Sequence, residues 1–228
     1  QGNMIMHRHD LYGPIHKALR AAMGRTLVKL GSADFSDALE TARVLAALRA
    51  QLATGASHLR HEDEHIHTAL EARCPGASGR LEADHYHHEQ AFAELEALML
   101  EIEAAPSAER ASLGRELYLR YSEFVAADLA HMVEEERAIL PLLHSLFSDA
   151  ELMAIEGAIV ASTPPADTMA IMSDIIPAMY RSERVRFLSF VQHGAPPEAF
   201  TGILQHAAKP NLSGPDWVHL AASFEMAP

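Results

Sequence analysis

The sequence predicts an all-α protein. Apolar residues recur at helical spacing almost throughout, strand-like alternation and Asn-Gly or Asp-Gly hairpin turns are absent, and helix breakers separate the long periodic stretches. The first helix is expected from about Asp10 to Leu30, ending at Gly31. A second begins near Asp34 or Ser36, either a suitable N-cap, and continues to Arg73, where Cys74-Pro75-Gly76 stops it. The third covers Gly79 to Ala105, and Pro106-Ser107 opens a fourth that reaches Phe147, with Pro141 kinking it or ending its regular part.

After Ser148 the elements shorten, and eight of the twelve prolines fall in residues 148–228. Short helices are expected at about 149–162, 165–179, 181–192, 197–208 and 214–225. The chain is thus expected to divide into a helical domain, 8–147, and a helical extension, 148–228, that packs on or caps it. The Met- and Ile-rich stretch Met169 to Tyr180 suits core, a cap on the first domain, or the cover of a partner, and Trp217 is expected to anchor the last helix on the first domain.

A net charge of −13 disfavours nucleic acid as a partner, because phosphates require a basic face. No apolar run reaches membrane-spanning length and no secretory core is seen near the N-terminus, so a soluble cytoplasmic protein without a membrane partner is expected. The single Cys74 provides neither an internal disulfide nor a thiolate cluster, which restricts any metal to nitrogen and oxygen ligands.

Such ligands are abundant on inward faces. Burying an ionisable side chain without a partner costs several kcal/mol, and a bound cation removes that cost. In the fourth helix the apolar stripe is Leu117, Tyr121, Phe124, Ile139, Leu142 and Leu146. At 100° per residue His131 and Glu135 fall within about 20° of Phe124, and Asp128 within about 40°. In the second helix, with the stripe Leu48, Leu52, Leu59, Ile66 and Leu70, His58 and Glu62 form the inward pair. His61 points away and is expected in solvent, while His65 and His67 lie on the flanks, where they can support ligands.

The third helix buries Phe92, Leu95, Met99 and Ile102. His85 is the favoured ligand there, and Glu89 and His88 compete for the second position, with His87 turned outward. In the first helix His16 flanks Tyr12, Ile15, Leu19, Met23 and Leu30, with His9 two turns earlier. The remaining histidines, His193, His206 and His219, lack partners at matching spacing and read as surface or packing residues.

The candidate metal ligands are therefore His16, His58, Glu62, His85, Glu89, His131 and Glu135, enough for two ions. Carboxylates bridge metals well, which makes Glu62 and Glu135 the natural bridges and the imidazoles terminal ligands. A histidine-rich set favours binding a small ligand over forcing oxidation of a substrate.

Four stretches resemble the hemerythrin-like (HHE) cation-binding family: Tyr12-Gly-Pro-Ile-His16-Lys-Ala-Leu-Arg20, His58-Leu-Arg-His-Glu62-Asp-Glu-His-Ile-His67, Asp84-His85 to Glu89, and His131-Met-Val-Glu-Glu135-Glu-Arg-Ala-Ile-Leu-Pro141. The resemblance covers residues 8–147 and implies an antiparallel up-down four-helix bundle around two iron ions, with manganese or zinc as alternatives. It implies His16, His58, His85 and His131 as terminal ligands, Glu62 and Glu135 as bridges, and oxygen or nitric oxide as the small diatomic ligand. Glu89 stands where oxygen carriers have a further histidine, and the last carboxylate is a Glu four residues after His131 rather than an Asp five after. Both departures weigh against reversible oxygen carriage.

Three readings follow: a di-iron protein that binds or senses oxygen, nitric oxide or iron; a di-iron or di-manganese oxidoreductase acting on peroxide or nitric oxide; and a structural bundle holding zinc or no metal. Binding rather than turnover leads. The C-terminal helices are expected to modulate access or to meet a second copy or another protein.

Overall fold

The structure, a computed structural model, describes residues 8–225, and among these it is entirely helical, without strands. Helix α1 (Gly13–Ser32) follows Asp10, whose carboxylate accepts the amide N–H groups of Tyr12 and Gly13. Helix α2 (Ala38–His61) is capped by Asp37, which accepts from the Glu40 amide. Asp34 and Ser36, the expected caps, instead form the preceding turn, where Asp34 binds the Ser36 amide and hydroxyl. A π-helical turn, Glu62–His67, carries α2 without a break into α3 (Thr68–Arg73), and Gly76 takes the left-handed conformation (φ 87°) in the turn that follows.

Next come α4 (Gly79–Ala104) and α5 (Ser107–Glu134), then a second π turn, Glu135–Ile139, and α6 (Leu140–Leu146). The chain bends by 117° before α7 (Asp149–Ser162). Beyond lie α8 (Pro165–Ala178), α9 (Arg181–Gly194), α10 (Pro197–Gly202) with a third π turn, Ile203–Ala208, and α11 (Gly214–Ser223). No single helix among the described residues is long and apolar enough to cross a membrane.

Two compact units result. The first comprises Ala22–Ile159 with the segment ending at His9; the second comprises Asp10–Ala21 with the chain from Val160 onward. By packing, the division thus falls after Ile159 rather than after Phe147, because α7 is tied to the end of α6. Arg8 donates to the His144 and Phe147 carbonyls and to Asp149, while Arg73 stacks on Phe147 and bonds the Leu146 carbonyl and Glu151.

In the first unit α4 packs on both α2 and α5. Its core includes Leu45, Leu48, Leu70, Leu95, Met99, Ile102, Leu117 and Tyr121, whose hydroxyl donates to Gln51 at 3.0 Å. Arg49 on α2 grips Glu96 and Glu103 on α4. Helix α5 passes close to Phe35 at Gly114, where an added Cβ would stand 2.2 Å from the ring.

The second unit has its own core, built on Ile176, Leu188, Phe200, Leu204, Leu220 and Trp217. Trp217 therefore anchors α11 on this unit's own core. The Met- and Ile-rich stretch supplies Ile175, Ile176 and Met179 to the interior. Buried Arg184 donates to the Ile176 and Met179 carbonyls, both at 2.8 Å, and so closes the end of α8. His193, His206 and His219 are exposed, as expected.

Candidate metal centre

Both inward His-x-x-x-Glu pairs sit where an α-helix opens into a π turn. Glu62 and Glu135 are the first residues of those turns, and each backbone N–H is shared between two carbonyls: His58 and Leu59 for Glu62, His131 and Met132 for Glu135. A π turn holds an extra residue, which rotates the helix face beyond it, and such turns are frequent at functional sites. In the first, the Thr68 hydroxyl donates to the Asp63 carbonyl at 2.9 Å.

The contacts between α2, α4 and α5 bring five predicted residues into one chain of close approaches. His58 Nε2 lies 3.0 Å from Glu62 Oε1, Glu62 Oε2 lies 3.5 Å from His85 Nε2, and His85 Nε2 lies 3.1 Å from His131 Nε2. His131 Nε2 is in turn 3.4 Å from Glu135 Oε1. One donor atom each from Glu62, His85, His131 and Glu135 all fall within 4.8 Å of one another, and all four residues are buried.

The far edges of the two facing imidazoles are held by aspartates. His85 Nδ1 is 2.8 Å from Asp63 Oδ1, and His131 Nδ1 is 3.5 Å from Asp84 Oδ2. An Nδ1–H held by a carboxylate leaves Nε2 directed at the centre, the usual support for a metal-binding imidazole. Asp63 also accepts from His67 Nδ1 at 2.9 Å, and the His67 ring stacks on His85. Asp63 and Asp84 escaped the sequence reading. Their only signal is adjacency to a candidate ligand, in Glu62-Asp63 and Asp84-His85.

Burial would depress the His131 imidazole, but its hydrogen bond to Glu135 and the charges of Glu135, Glu62 and Asp128 raise it to about 9. Burial lowers His85, outweighing the pull of Glu62 and Asp63. Burial, with the neighbouring imidazoles of His131 and His85, takes His88 down to about 4. The centre thus holds a proton on His131 at neutral pH, between nitrogen and oxygen donors suited to a first-row divalent ion. The donor set fits such an ion: two buried carboxylates and facing imidazoles converge, and their Nδ1 edges are already engaged.

Two residues stand elsewhere than expected. Glu89 is exposed and lies outside the converging group, while His88 is buried, its Nδ1 3.5 Å from Asp128 and its ring against His131. Glu62 and Glu135 each open a π turn; α4 has none, so Glu89 keeps the outward side of a regular helix. His61 is buried at 8% exposure rather than solvated, and burial lowers its imidazole. His16 belongs to the second unit, fully buried and stacked on Tyr12.

An open groove of about 560 Å³ between α4 and α5 reaches His88 and His131, and a second cleft of about 470 Å³ reaches His67 and His85. The helical protein therefore carries buried His/Glu clusters able to bind metal, open to solvent on two sides. Compared with protein-family profiles, with curated proteins and with solved structures, the chain finds no match.

Proposed function

We propose that this protein binds a pair of metal ions, iron foremost, in a hemerythrin-like antiparallel four-helix bundle, and that it binds or senses oxygen or nitric oxide there. The observation that carries the reading is the chain of partly buried His58 and buried Glu62, His85, His131 and Glu135, whose successive side chains approach within 3.0–3.5 Å. Glu62 and Glu135 would bridge, and His58, His85 and His131 would be terminal ligands. His16 joins them on the strength of the sequence reading, from its place beside the apolar stripe of α1 and from the resemblance. Iron held there would supply reversible redox chemistry and affinity for a diatomic ligand.

The chain's own residues set the character of the site. Asp63 and Asp84 orient the imidazoles, and the proton that Glu135 holds on His131 is the one a cation displaces. With Glu89 outside, the donor set carries one carboxylate fewer than the sequence pattern implied, and the position still supplies no further imidazole. A second reading, an oxidoreductase acting on peroxide or nitric oxide, is favoured by the groove that opens onto His131.

The test is metal content by elemental mass spectrometry on protein purified without a histidine tag, with the aerobic visible spectrum recorded alongside. About two irons per chain with near-ultraviolet charge-transfer bands support the proposal. Zinc alone, or no metal after anaerobic loading with ferrous iron, overturns it, and steady-state turnover of peroxide favours the second reading. His131→Ala and Glu62→Ala are expected to lose metal, whereas Glu89→Ala retains it.

A further inference from the structure

On the α3 side of the centre, Asp63, His67 and His85 bring three donors together at the floor of the second cleft. Asp63 Oδ1 is 2.9 Å from His67 Nδ1 and 2.8 Å from His85 Nδ1. Ligand atoms around one small cation held by bonds of about 2.0–2.2 Å stand about 3 Å apart, so this spacing suits a shared ion. The two imidazoles are each 3% exposed, while Asp63 is open to solvent at 42% of its side chain. His67 Nε2 is buried and has no hydrogen-bond partner among the described residues. That nitrogen can take the ring proton when Nδ1 turns to an ion.

The cleft above these donors is acidic. Glu71, Glu82 and Glu89 line it, with Tyr86 and Thr68. Glu71 is committed to the Gly76 and Ser78 amides and Glu82 to the Ser78 hydroxyl, which leaves the exposed Glu89 facing the cleft without such a tie. No lysine or arginine lines this cleft, whereas Arg80 and Arg120 line the groove on the α5 side. A cleft of one sign concentrates counter-ions and speeds their arrival.

We infer that Asp63 and His67 form a loading site for a divalent cation, which they pass to the buried centre across the His85 ring. His85 belongs to both places: its Nδ1 edge faces Asp63 and its Nε2 edge faces Glu62 and His131. The incoming ion takes the place of the Nδ1 proton of His67, which moves to Nε2, and Asp63 supplies the compensating charge. The inference rests on the metal-binding reading above and adds the route by which the centre fills.

The test is the rate at which the metal-free full chain takes up Co²⁺, followed by visible absorbance in stopped flow at low ionic strength. In His67→Asn the final Co²⁺ content of the centre is expected to match the parent protein while the uptake rate falls about tenfold, the scale of losing one partner at a metal site. Glu89→Lys, an exposed change that keeps the test available should His67→Asn not fold, is expected to slow uptake severalfold at low salt and to converge on the parent rate as salt is raised. Unchanged rates in both variants overturn the loading site and leave the centre intact. A lower final content in His67→Asn also overturns it, by making His67 part of the centre's support. A parent protein that takes up no Co²⁺ overturns the metal reading itself.

Discussion

His85 and His131 face each other edge to edge, Nε2 to Nε2 at 3.1 Å, across the centre of the first unit. One of them must donate. With His85 Nδ1–H given to Asp63, its Nε2 is the acceptor, and His131, held protonated beside Glu135, is the donor. The same two atoms are the ones a metal would claim, so the proton between them occupies the place of a ligand bond.

Asp63→Asn removes the carboxylate that fixes His85, and metal affinity is expected to fall by about 10–100-fold. Competition with a calibrated chelator measures it. Affinity equal to the parent's would show that His85 is oriented by its stacking on His67 and not by Asp63.

Metal removal is expected to lower the melting temperature, since a ligand that binds only the folded state, at 100 times its Kd, adds about 2.7 kcal/mol. Glu62→Gln and Glu135→Gln should make melting insensitive to chelator. Calorimetry with and without chelator, on the parent and both variants, decides the matter.

Glu151 is held down from its ordinary 4.5 to about 2 by the Arg73 guanidinium, with the Ser148 amide and hydroxyl adding to it. A depressed carboxyl contributes stability that is complete above its unfolded value and lost as pH falls through its folded one. Urea midpoints of the parent should therefore drop between pH 4.5 and about 2, and Glu151→Gln should flatten that limb.

Gly114→Ala places a methyl group against Phe35, where the ideal Cβ meets the ring at 2.2–2.6 Å. Overpacking of this kind costs about 1–3 kcal/mol. Denaturant titration should register that loss, with metal content per folded chain unaffected.

Much of the fold was legible because helix boundaries carry local chemistry. The Cys74-Pro75-Gly76 stop, the Pro106 start and the short C-terminal elements fall where the breakers put them. The inward pairs were legible too, since His58 with Glu62 and His131 with Glu135 follow from simple spacing. What failed was phase. A wheel of 100° per residue placed Leu142 and Leu146 inward, yet Leu143 and Phe147 are the buried residues, one step later, because the Glu135–Ile139 turn absorbs a residue. Asp63 and Asp84 were hidden for a different reason: they act through a neighbour's far nitrogen, and no periodicity marks such a role.

Pro141 gives the second π turn a direction. In a regular α-helix its ring would press on the Arg137 carbonyl and offer it no N–H, a conflict worth about 3 kcal/mol or more. The wider turn avoids this: the Leu140 N–H reaches back five residues to the Glu135 carbonyl, and the helix continues through Leu146 without a break. The proline therefore works as a pawl. It bars the segment from tightening into the narrower winding that would turn Leu143 and Phe147 out of the core.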